Sequence, residues 1–142
     1  MAKIPREVWR FCVDQIKYYP LTEVAYANAK ADIQAVYEES GMGSLPDPSG
    51  VHDVHLGQGP QEGRYIAREK ALNNPYYRYL TRSVGIMEAA KMGQDQAVLE
   101  AIWSEGWRDN TMIALRANVS ARQVARAKHE LVRGVAEGWG LW

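Results

Sequence analysis

The chain has a single cysteine, Cys12, among its 142 residues. An internal disulfide framework is therefore excluded, and a lone thiol fits a reducing, intracellular setting. Cys12 stands between Phe11 and Val13, which suits a small buried hydrophobe better than a reactive group. Long apolar runs are missing as well. The longest stretch free of Asp, Glu, Lys and Arg is Val54 to Gln61, far short of the roughly 20 residues a membrane span requires. The opening MAKIPREVWR lacks the apolar centre of a secretion signal. A cytoplasmic protein with no membrane segment is expected. Net charge is absent too, since 17 basic side chains balance 17 acidic ones.

Catalytic and metal signatures are equally scarce. There is no paired Cys/His spacing, no glycine-rich loop between a strand and a helix, and no Ser-His-Asp set on predictable scaffolds. His52, Asp53 and His55, with Asp47 nearby, are ligand-type residues, but they fall in a stretch with nothing rigid to hold a coordination shell. Glu38 and Glu39 read as a solvated helix end. No enzyme activity, cofactor or metal site is expected.

The zero balance hides an asymmetry. Residues 1–63 hold nine acidic and five basic side chains, whereas residues 64–142 hold eight acidic and twelve basic, so the two parts carry −4 and +4. Arg108, Arg116, Arg122, Arg126, Lys128 and Arg133 concentrate the positive charge against only Asp109 and Glu130 within that stretch. Such a footprint matters more for a polyanionic partner than the net value does.

Apolar residues recur at helical spacing along most of the chain. Val8, Phe11, Cys12, Ile16 and Tyr19 predict a first helix that Pro5 opens and Pro20 ends. A second starts near Thr22, with Tyr26, Ala29, Ile33, Val36 and Tyr37 on one face, and stops at Gly41. Together, residues 1–40 read as an N-terminal helical hairpin. Residues 41–63 hold half of the chain's 12 glycines and half of its 6 prolines and read as a mobile loop or linker. Helix returns from Arg64, with a break at Asn74-Pro75. Tyr76, Tyr79, Leu80, Val84, Met87 and Ala90 then form a face reaching Gly93, and Val98, Leu99, Ile102 and Trp103 mark another helix ending near Gly106. No strand is evident. The fold class is all-α, with residues 64–142 forming one helical domain.

Within that domain, Tyr65, Tyr76, Tyr77 and Tyr79 are interleaved with Arg64, Arg68, Lys70, Arg78 and Arg82. Such a mixture can stack and neutralise single-stranded nucleic acid, but helical spacing favours half-buried tyrosines with hydroxyls at the rim. Trp139, Leu141 and Trp142 are costly in water, at about 2–3 kcal/mol for each buried indole. The tail should fold back on the bundle or meet a second copy of the chain, and a two-fold homo-oligomer would present two half-site readers.

The most informative stretch is NVSARQVARAKHELV, residues 118–132. Met112, Ile113 and Leu115 or Ala117 mark a short helix before it. Asn118 tolerates positive φ, Val119 is an apolar plug, and Ser120 with Gln123 three residues on has the reciprocal capping-box form. Val124, Ala127, Leu131 and Val135 make one seam. Ala121, Arg122, Ala125, Arg126, His129 and Arg133 fall on the opposite face. A recognition helix needs this division: one stripe to pack, and small residues plus hydrogen-bond donors in its first turns to reach base edges. Arg122 and Arg126 are placed to donate to guanine, and Gln123 either pairs with adenine or completes the cap. Arg116, Ser120, Lys128, His129 and Arg133 are placed for phosphates.

TMIALRANVSARQVARAKHELVRGVAEGW resembles the helix-turn-helix of sigma-factor region four. Ile113-Ala114, Asn118, Val119, Ser120 and Val124 occupy the positions of its pattern, with the motif spanning about residues 109–136. The whole chain resembles the small phage late-gene transcriptional regulators of the RinA and ArpU type, in which a helical segment containing "YP", here Tyr19-Pro20, precedes a variable loop and this C-terminal motif. The resemblance implies a phage or prophage activator acting on double-stranded DNA in a bacterial host. Two other expectations come from different classes: an interaction module docking on RNA polymerase, and a small DNA-packaging protein like a terminase small subunit.

Overall fold

The computed structural model describes residues 3–37 and 69–142. Every regular element among them is helical: α1 (Arg6–Lys17), α2 (Tyr19–Tyr37), α3 (Pro75–Lys91), α4 (Gln96–Glu105), α5 (Asn110–Ala117) and α6 (Ala121–Gly138), with residues 69–72 also helical. None is long and apolar enough to cross a membrane. The expected loop over residues 41–63, with His52, Asp53 and His55, lies outside the described residues, as do Arg64, Tyr65 and Arg68.

Local chemistry explains most boundaries. Pro5 precedes α1, and Glu7 lies in its first turn, where a negative charge meets the positive end of the helix dipole. The break between the first two helices differs from expectation. It falls at Tyr18 alone (φ −94°, ψ 7°), and Pro20 lies inside the first turn of α2, where its missing N–H leaves no bond unmade. Asn74 caps α3: its Oδ1 accepts from Tyr76 N at 2.9 Å and Tyr77 N at 3.3 Å, and Pro75 takes the first helical position. Asp95 caps α4 by accepting from Ala97 N at 2.8 Å, and Gly106 at φ 94° ends it.

The contacts divide the chain into two compact units, residues 1–22 with 83–142, and residues 23–82. In the first unit, α4 packs on α5, α5 on α6 and α1 on α6. Cys12 and Ile16 of α1, Met87 of α3, Leu99 and Ile102 of α4, Ile113 of α5 and Val124, Leu131, Val132 and Val135 of α6 are buried in one core. Burial pushes the Cys12 thiol up to about 11, so it stays protonated at neutral pH and packs as a hydrophobe. Trp103 Nε1 donates to Ile16 O at 2.7 Å, fastening the end of α1 to α4. The apolar tail folds back on its own unit. Leu141 N bonds Ala136 O and Gly140 N bonds Glu137 O, a Schellman closure around Gly140 at φ 73°. The Trp139 ring meets Phe11 edge-on at 5.9 Å, and Arg133 sits 5.3 Å above the Trp142 ring.

In the second unit, Tyr26 of α2 stacks on Tyr77 of α3 with centroids 5.8 Å apart, and Leu80 is buried. Tyr76 and Tyr79, expected as half-buried core, are instead 60% and 41% exposed. The inward arc of this part of α3 is occupied by Tyr77 and Leu80.

Two features of the first unit make predictions. A Cβ at Gly134 would lie 2.9 Å from Ala90 Cβ and 3.2 Å from its Cα, so α3 and α6 touch nearly backbone to backbone there. Gly134→Ala gains about 1 kcal/mol of helix propensity, but the overpacking costs about 1–3 kcal/mol and Ala90 has no flexible end to yield. A net loss of about 1 kcal/mol is expected, read as a lower urea midpoint at unchanged slope. Ser83 Oγ is buried without a hydrogen-bond partner among the described residues, a penalty of about 1–3 kcal/mol. Ser83→Ala should raise the thermal midpoint, and a fall would contradict that account.

Candidate nucleic-acid interface

The α5–α6 corner is built by local bonding. Asp109 Oδ1 accepts from Met112 N at 3.0 Å and starts α5. The helix closes at Asn118, in the left-handed region at φ 56°, ψ 48°, among the few non-glycine types that adopt it readily. Asn118 N bonds Leu115 O and Val119 N bonds Ala114 O at 3.0 Å, again the Schellman pattern. That geometry turns Val119 against the core. Ser120 then begins α6 with both halves of the capping box: Gln123 N donates to Ser120 Oγ at 3.1 Å, and Ser120 N donates to Gln123 Oε1 at 2.8 Å.

Along α6 the packed seam is the expected one. Val124, Leu131 and Val135 have no exposure and Ala127 has 8%. Lys128, Val132 and Ala136 widen it into a stripe. Ala121, Arg122, Ala125, Arg126, His129 and Arg133 are exposed on the other side.

The candidate contact residues fall into different states. Arg122 and Arg126, four residues apart, lie within the first two turns. Among the described residues neither has an ion-pair partner. Arg116 Nη1 is paired with Glu105 Oε1 at 2.9 Å and Arg133 Nε with Glu137 Oε1 at 3.0 Å. His129 is exposed, its ring 5.8 Å from that of Trp9. Gln123 has committed its carbonyl oxygen to the cap. It no longer offers the acceptor-and-donor pair that adenine recognition requires.

Lys128 departs from expectation outright. It is 7% exposed, its ammonium donates to Trp107 O and Asn110 Oδ1, and it lies 4.9 Å over the Trp107 ring. It is an internal pin from α6 to Trp107, in the segment joining α4 to α5, and to the first residue of α5, not a phosphate contact. Desolvation holds this ammonium below the ordinary lysine range, opposed by the charge of Asp109. The spacing held a signal for this: Val124, Lys128, Val132 and Ala136 follow one another at four-residue steps, a single ridge beside the expected seam. Glu105, which holds Arg116, was not singled out by the sequence, because it lies on another helix eleven residues away.

No cluster of three His, Cys, Asp or Glu side chains among the described residues is arranged to hold a metal. Comparison with protein-family models, with curated proteins and with solved structures finds no match to this chain.

Lys128→Met removes the donor to Trp107 O and Asn110 and should cost about 1–3 kcal/mol at neutral pH. The pH dependence has a definite sign. Because the folded value is depressed, the folded state releases this proton before the unfolded chain does, so wild-type stability rises between the two values. The deficit of Lys128→Met, measured by urea unfolding at successive alkaline pH values, should widen there. A constant deficit would mean that Lys128 is not desolvated.

Proposed function

We propose that this protein is a sequence-specific regulator of transcription that sets the N-terminal turns of α6 into the major groove of duplex DNA, with α5 and α6 acting as a helix-turn-helix. The observation that carries this reading is the state of Arg122 and Arg126. They are exposed, unpaired among the described residues, and flanked by Ala121 and Ala125 on the face opposite the buried seam. Small side chains permit close approach of the helix backbone, and each guanidinium can donate twice to guanine O6 and N7. Arg116, His129 and Arg133 are the phosphate-side residues, Arg116 and Arg133 exchanging a carboxylate for a phosphate, and the Ser120 hydroxyl lies at the helix start. The resemblance to phage late-gene regulators of the RinA and ArpU type supplies the biological setting, a phage or prophage promoter in a bacterial host.

A second partner is favoured by one feature. Met112 and Leu115 on α5 are 43% and 70% exposed. In helix-turn-helix docking the first helix crosses the DNA backbone, and apolar side chains gain nothing from phosphates. RNA polymerase is the partner we assign to that face, as an addition to DNA binding.

The test begins with selection of bound sites from random duplex DNA, followed by affinity measurements at graded salt. Arg122→Ala and Arg126→Ala should each cost about 1–3 kcal/mol at the selected site and relax the base preference. Arg133→Ala should weaken all duplexes alike and lower the salt slope by about one. Glu105→Gln, which frees Arg116, should strengthen binding without altering preference. Indifference to duplex at low ionic strength, or equal affinity across all these variants, would remove the assignment.

A further inference from the structure

Tyr76 and Tyr79 are exposed although the neighbouring aromatic and aliphatic side chains, Tyr77 and Leu80, face inward. Separated by three residues, the two tyrosines are neighbours on the helix surface, with Cβ atoms about 5–6 Å apart. Arg82 continues the row at the same interval, and Arg78 lies one turn before Arg82; both are exposed. From Pro75 to Met87 the chain contains no Asp or Glu. Of the other exposed positions among these, Pro75 opens the helix, and Thr81 and Gly85 add no aliphatic surface. The strip therefore presents two tyrosines and two arginines at the surface, with no exposed Leu, Ile, Val or Met beside them for an apolar protein groove to seat.

We propose that this strip of α3 binds single-stranded nucleic acid, with Tyr76 and Tyr79 stacking on two bases and Arg78 and Arg82 meeting the adjoining phosphates. Duplex bases lie roughly 3.4 Å apart along each strand, already stacked and closed to side chains on a helix surface. An unpaired strand presents the face of every base, and its backbone can open to the spacing of the rings. Stacking of this kind tolerates any base sequence, because every base has a π-face. The inference shares no residue with the duplex reading of α6 and stands or falls separately from it.

The experiment uses the full chain and fluorescence anisotropy with a labelled oligothymidine at low ionic strength, beside an abasic strand of equal length. The oligothymidine should bind, and the abasic strand should bind roughly tenfold or more weakly, since it keeps the phosphates and lacks the bases. Tyr76→Ala and Tyr79→Ala should each weaken oligothymidine binding roughly tenfold, and Tyr→Phe at either site should retain it. Both positions are exposed, so unchanged circular dichroism and thermal midpoint will certify the fold. Arg122→Ala combined with Arg126→Ala should leave single-strand binding intact, which separates failure of this inference from failure of the duplex reading. Equal binding of abasic and thymidine strands would reduce the strip to a general polyanion surface and overturn the proposal. Undiminished binding by the double alanine variant at the tyrosines, or no binding of oligothymidine at all, would overturn it equally.

Discussion

The rotation of α6 about its own axis decides what the first unit presents to solvent. One residue along a helix turns the face by about 100°, so a small rotation would bring Arg122 or Arg126 towards the interior, where an uncompensated charge is prohibitively costly. Two packing constraints prevent it. Val124, Leu131, Val132 and Val135 are held in the core with no exposure. On the same helix, the missing side chain of Gly134 lets α3 approach until Ala90 fills the space. The outer face is the remainder left by these constraints.

Lys128 shows how firmly that rotation is held. Its place on the ridge Val124–Lys128–Val132–Ala136 puts an ammonium where the packing calls for an apolar group. The structure accommodates the charge by supplying acceptors, the Trp107 carbonyl and the Asn110 amide, with the indole face beneath. Those acceptors flank Asp109, the cap of α5: Trp107 lies in the linker and Asn110 is the first residue of α5. Burying the lysine thus ties the start of α5 to the middle of α6. The corner geometry follows from a charged contact within the unit as much as from its apolar core.

What could be read in the sequence, and what could not, separates by the range of the interaction. The left-handed Asn118, the plug Val119, the Ser120–Gln123 box and the seam Val124–Ala127–Leu131–Val135 were all legible, because each depends on residues within a turn or two. The competition at Gln123 was legible as well: a single carbonyl oxygen cannot serve both the cap and a base. The pairing of Arg116 with Glu105 was not, since it requires knowing how α4 and α5 cross. Tyr76 and Tyr79 failed for a related reason: periodicity defines an aromatic face, but whether a neighbour covers it is a tertiary fact. The sequence pattern puts the break at Pro20 and the structure puts it at Tyr18, because proline stops a helix from within yet is welcome in its first turn.

The cations of the outer face are sorted by position, and this resolves the tension between zero net charge and the proposed polyanionic partner. Arg122 and Arg126 occupy the N-terminal turns of α6, where unbonded N–H groups already give the helix a positive end. Towards the C-terminal end, Arg133 is neutralised by Glu137, and Glu130 accepts a hydrogen bond from Gln94 at 2.8 Å. The field along this face is therefore graded, strongest at the start of the helix and nearly cancelled at its end. Because screening at physiological salt limits such fields to roughly 8 Å, a negatively charged surface close to α6 experiences that gradient and not the charge of the whole chain. It would be drawn to the first turns in preference to the last, so the orientation of approach is written into the order of Arg122, Arg126, Glu130, Arg133 and Glu137 along a single helix.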